Sequence, residues 1–148
     1  MSEIWGIIGQ MVTLKSHKAF GSFLGRGTHV WLEIESGRGT KITFSGANVQ
    51  RKLRVAENLI KDFDKPSTRG SVVIPAPAGV SESEWAQRVV EAGREVKKSL
   101  QKKLKYSGFF PSLPGYGNCC TVVLDIVQRA GGESPVCRPE GFAPGLRK

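Results

Sequence analysis

Apolar positions along the chain follow two different periods. From Thr28 they alternate with polar ones. Val30, Leu32 and Ile34 fall on one side of the chain, and His29, Trp31, Glu33 and Glu35 on the other. The alternation resumes after Gly37-Arg38-Gly39, with Ile42 and Phe44 set against Lys41, Thr43 and Ser45. A loop over those three residues places Ile34 opposite Ile42 and Leu32 opposite Phe44, so both apolar rows share a face. A loop of two residues would put the rows out of phase. The pattern predicts an antiparallel hairpin whose second face carries His29, Trp31, Thr43 and Ser45.

Elsewhere the spacing turns helical. Leu53, Ala56, Leu59, Ile60 and Phe63 predict an amphipathic helix over 47–63, with Asn48 as its cap. Ser71-Val72-Val73-Ile74 reads as a strand stopped at Pro75. Ser81 and Glu84 form a capping box for a helix through Trp85, Val89, Val90, Val96, Leu100 and Leu104. A loop rich in glycine, proline and aromatics follows. It delivers the chain to Asn118, which caps a last helix running through Val122, Val123, Leu124, Ile126, Val127 and Ala130 and closed by Gly131-Gly132. Ile4 to Val12 fits either a strand or a short buried helix. Residues 1–26 are otherwise poorly defined, and 133–148 read as an extended, proline-containing tail. No repeat or interdomain linker is present, so the expectation is one α+β domain over 1–148.

Length and composition agree with that expectation. The chain has 148 residues, enough for one real core, and its 39% hydrophobic and 24% charged fractions are those of a soluble globular domain. No apolar run reaches the length of a membrane span, and the N-terminal segment lacks the basic start and cleavage site of a signal peptide. The chain is therefore expected to be made in the cytoplasm, with secretion by a signal-independent route left open. A net charge of +9 implies attraction to an anion: nucleic acid, a phospholipid surface or a cell-wall polymer. The basic end of the helix before Tyr106, with Arg94, Lys97, Lys98, Lys102, Lys103 and Lys105, fits a solvated helix terminus or a polyanion site. Aromatics follow that run instead of interleaving with it, so the nucleic-acid signal is weak.

Three cysteines make neither a disulfide framework nor a zinc site: no C-x-x-C occurs, and His17 and His29 lie far away in sequence. No metal or cofactor is expected. Cys119 is the one thiol in a context that would activate it. It falls in the first turn of the last helix, where the backbone N–H groups and the dipole favour a thiolate. On the helical wheel Thr121, Asp125, Gln128 and Arg129 make one polar stripe; Cys119 projects opposite it and Cys120 towards its flank. Taken alone, both cysteines read more readily as small core residues. An imidazole within hydrogen-bond reach would decide the matter, and His29 is the one such group on a defined element.

Thr28-His29-Val30-Trp31-Leu32-Glu33-Ile34 opening a hairpin, followed by Asn118-Cys119 opening a helix, resembles the circularly permuted papain-like superfamily. That group includes permuted NlpC-type peptidases, lecithin:retinol acyltransferase-like proteins and PPPDE-type peptidases. Pro135, Pro139, Pro144 and Gly145 resemble the tail of permuted peptidase-like domains in bacterial secreted toxins. The resemblance spans most of 28–146 and implies an antiparallel sheet packed against a buried helix that begins with the cysteine. It implies Cys119 as nucleophile and His29 as general base, with Thr43 or Ser45 in the third, orienting role unless the pair works as a dyad. Trp31, Asn118 and Tyr116 would then line the substrate site, and the oxyanion would sit on the Cys119 backbone N–H. Cys120 receives no role.

The implied activity is a cysteine hydrolase cleaving an amide, such as a peptidoglycan peptide, by way of a thioester. As a toxin-like domain it would have an immunity-type inhibitor as a partner. Deacylation or acyl transfer on phospholipid uses the same residues. A non-catalytic basic module for nucleic acid or another polyanion is the reading from a different class.

Overall fold

The computed structural model describes residues 11–18, 28–35, 39–58, 71–100, 105–106, 116–117 and 119–133. In chain order these form β1 (Met11–Lys18), β2 (Thr28–Glu35), β3 (Lys41–Val49), β4 (Lys52–Glu57), β5 (Ser71–Val73), α1 (Glu82–Leu100), β6 (Lys105–Tyr106), β7 (Tyr116–Gly117) and α2 (Cys119–Arg129). The strands make one sheet in the order β5-β1-β2-β3-β4-β6-β7. From β5 to β4 every pairing is antiparallel, β6 continues antiparallel to β4, and the two-residue β7 joins β6 in parallel. The fold is thus α+β, an antiparallel sheet with two helices.

The β2–β3 hairpin has the register that its apolar rows require, with Leu32 opposite Phe44 and Ile34 opposite Ile42. Cross-strand partners share a face, so the register defines two rows. Val12, Leu14, Val30, Leu32, Ile34, Phe44, Leu53 and Val55 face one side, and all are buried in the core. The apolar sides of both helices complete that same core. Thr13, Trp31, Glu33, Thr43 and Ser45 face the other side, and they too are buried.

The helix predicted over 47–63 is not formed by its described residues. Instead β3 runs on to Val49, turns, and returns as β4, while 59–63 lie outside the described residues. Leu53 and Val55 are buried two apart, the strand period, whereas the helical reading rested on Leu53 and Ala56. Gln50 and Arg51 both have positive φ, 53° and 68°, which is the two-residue type I′ turn that a tight hairpin needs. Asn48 does accept the N–H of the residue three further on, as a cap would, but that bond closes the turn (2.9 Å to Arg51). β1 is likewise a full strand, clearer in the structure than in the sequence, while 4–10 lie outside the described residues.

The helix expected to run through Leu104 with Lys105 in its basic end is described only to Leu100, and Lys105 lies on β6; the signals at the start of α1 and the end of α2 hold. Ser81 Oγ accepts the Glu84 N–H at 3.1 Å to start α1; the Glu84 carboxylate turns to Arg88 instead of closing the box. α2 ends in a Schellman motif: Gly131 has φ +92°, its N–H donates to Gln128 O, and the Gly132 N–H donates to Val127 O. Two close approaches dock α1. A Cβ on Gly93 would come within 2.6 Å of the Phe44 ring, and one on Gly132 within 2.4 Å of the Trp85 ring. The Trp85 Nε1–H donates to Ile74 O at 3.0 Å, tying α1 to the segment that follows β5.

Candidate functional site

Cys119 is the first residue of α2, immediately after β7 and Asn118, the latter outside the described residues. The helix crosses β2 and β3 and packs beside α1. Cys119, Cys120, Val122, Val123, Ile126 and Val127 form its buried side, and Gln128 and Arg129 its exposed one. The stripe read from the wheel is therefore the outer surface of α2. Cys120 differs from expectation, since it is fully buried instead of flanking the stripe. Cys119 is 4% exposed and part of the core built on Leu32 and Phe44.

Trp31, Thr43 and Ser45 come together as expected: Trp31 is opposite Ser45, and Glu33 is opposite Thr43. Their row is on the far side of the sheet from both helices. Neither hydroxyl is brought to Cys119, because the thickness of the sheet stands between them. Both Thr43 Oγ1 and Ser45 Oγ are buried with no hydrogen-bond partner among the described residues. The Thr43 backbone is held on both sides by Asn58, whose Oδ1 accepts the Thr43 N–H and whose N–H donates to Thr43 O.

His29 occupies the second position of β2, and its register partner is His17. The two histidines, twelve residues apart in sequence, are thus opposite one another beside the Lys18–Thr28 pair, at the closed end of the β1–β2 hairpin. The side chains of His17, His29 and Tyr116 lie outside the described residues, as does Cys137. No group of three histidine, cysteine or acidic side chains suited to a metal ion occurs among the described residues.

Two charged features were not singled out from the sequence. Glu33, 6% exposed at its side chain, lies between Lys15 Nζ at 2.7 Å and Lys41 Nζ at 3.9 Å. Its place in the Trp31 row was legible from the alternation, but its partners depend on the pairing of β1 with β2. The second feature is the seam between β4 and β6, where Lys105, read from the sequence only as part of a basic run, is the register partner of Lys52. No helix among the described residues is long and apolar enough to cross a membrane. Compared with family models, with curated proteins and with solved structures, the chain finds no match.

Proposed function

We propose that the chain is a cysteine-dependent hydrolase of the permuted papain-like type, with Cys119 as nucleophile and His29 as general base. The observation that carries this reading is the position of Cys119 at the first residue of a helix docked on the sheet to which the His29 strand belongs. At that position the thiolate gains from the helix dipole, and the backbone N–H is placed to serve an oxyanion.

In the reaction the Cys119 sulfur attacks the carbonyl carbon of an amide while its proton passes to His29. The imidazolium then protonates the departing amine, leaving a thioester that water hydrolyses with His29 again taking a proton. Thr43 or Ser45, which share the face of His29 by register, takes the orienting role unless the pair acts as a dyad. His29 belongs by register to the Trp31 row, one residue from the Thr28 end of β2. The substrate class favoured is a peptide of an anionic wall polymer, to which a chain of net charge +9 is drawn.

One observation favours a non-catalytic rival: strand alternation sets His29 and the core of α2 on opposite sides of the sheet. Iodoacetamide labelling at neutral pH separates the two readings. A dyad gives Cys119 labelling well ahead of Cys137, slowed at least about tenfold by His29→Ala. A zymogram on purified sacculi, run beside a fluorogenic phospholipid assay, then identifies the bond cleaved, and Cys119→Ser abolishes that activity. Slow, equal labelling of the thiols, unchanged by His29→Ala and with neither substrate turned over, rejects catalysis.

A further inference from the structure

Most described cations on the body of the domain have a carboxylate nearby. Lys15 and Lys41 flank Glu33, Arg94 and Lys97 meet Glu57, Arg88 meets Glu84 and Arg129 meets Asp125. Arg51, Lys52, Arg54, Lys98 and Lys105 have no carboxylate partner among the described residues, and all but Lys98, on α1, are gathered at one place. Arg51 forms the tip of the β3–β4 hairpin, Lys52 and Arg54 follow on β4, and Lys105 is the register partner of Lys52. Like charges placed directly opposite on neighbouring strands destabilise a sheet. Lys52 and Lys105 are nonetheless the register pair that joins β4 to β6 among the described residues. An anion laid across them relieves the repulsion.

The same tip exposes an apolar side chain. Val49, the residue before the turn, is 48% exposed and pairs with Lys52 across it. A valine projecting among cations suits a surface with charge at its rim and hydrocarbon beneath. A nucleic acid offers no such layer and favours aromatic platforms, which the described side chains of this tip lack.

We infer that the β3–β4 hairpin tip and the adjoining β6 strand form a docking surface for an anionic phospholipid bilayer, with Arg51, Lys52, Arg54 and Lys105 on the headgroups and Val49 entering the interface. Lys105 is also the register partner of Tyr116, three residues before Cys119, but the test reads binding alone, so its failure leaves the cysteine reading as it was.

The experiment is co-sedimentation of the full chain with vesicles of phosphatidylcholine, with and without about one-third phosphatidylglycerol, in roughly 0.1 M salt. The intact chain binds the anionic vesicles and not the neutral ones. Lys52→Gln with Lys105→Gln weakens binding about 25-fold, near fivefold for each cation. Val49→Asn weakens it roughly threefold without a change in net charge. Lys98→Glu removes the same charge as the double variant from an exposed position on α1, and it leaves most of the binding intact. Circular dichroism checks that each variant is folded. An equal loss with Lys98→Glu shows attraction by net charge alone and overturns the surface. Binding of a DNA or RNA oligonucleotide that shares the lysine dependence, in the absence of vesicle binding, overturns it in favour of nucleic acid.

Discussion

Thr43 and Ser45 bury hydroxyls that find no partner among the described residues, an arrangement that costs free energy with no return from packing. Thr43→Val keeps the shape and removes the polar atom, so it raises stability by up to about 1 kcal/mol, read as a higher urea midpoint. A loss of more than about 1 kcal/mol would mean that the hydroxyl is bonded. The paired glycines after α2 show how one residue type can serve two purposes. At Gly131 the φ of +92° demands glycine although a Cβ would meet only Arg88 at 3.7 Å; at Gly132 the Trp85 ring forbids a side chain. The sequence marks both as a helix end. It does not reveal that the second is also a packing site, because Trp85 arrives from another element.

Among the elements, the 47–57 segment is the instructive one. Its apolar residues fit a helical stripe nearly as well as a strand, and Asn48 offers an oxygen to the N–H three residues on in either case. Two residues of ordinary type then adopt left-handed backbone at Gln50 and Arg51, a conformation that costs about 1 kcal/mol or more for each non-glycine residue. Nothing in their side chains announces such a turn. It is imposed by β3 already paired with β2 and by Leu53 and Val55 seeking the core. Replacing Gln50-Arg51 with Asn-Gly therefore stabilises the hairpin by about 1 kcal/mol in a chemical denaturation experiment. An unchanged or lower midpoint would mean that the turn has another form.

For the molecule as a whole, the decisive contact is α1 laid across the sheet. α1 connects β5 at one edge to β6, next to the other edge, and Gly93 lets its backbone touch the Phe44 ring. Gly93→Ala gains helix propensity but drives a methyl into a fully buried ring, and the packing penalty of about 1–3 kcal/mol wins. The check is a lowered melting temperature. A rise would show that Phe44 can move aside. From the sequence alone came the β2–β3 register, the starts of α1 and α2, the Schellman end and the outer stripe of α2. Those features follow from backbone sterics and from the choice of each side chain between water and core, both of which act over a few residues. Only the tertiary structure placed Thr43 and Ser45 across the sheet from Cys119, His17 opposite His29, and Lys52 opposite Lys105. Such meetings depend on which distant segments share a face, and that is decided by the packing of the assembled core, which no local pattern encodes.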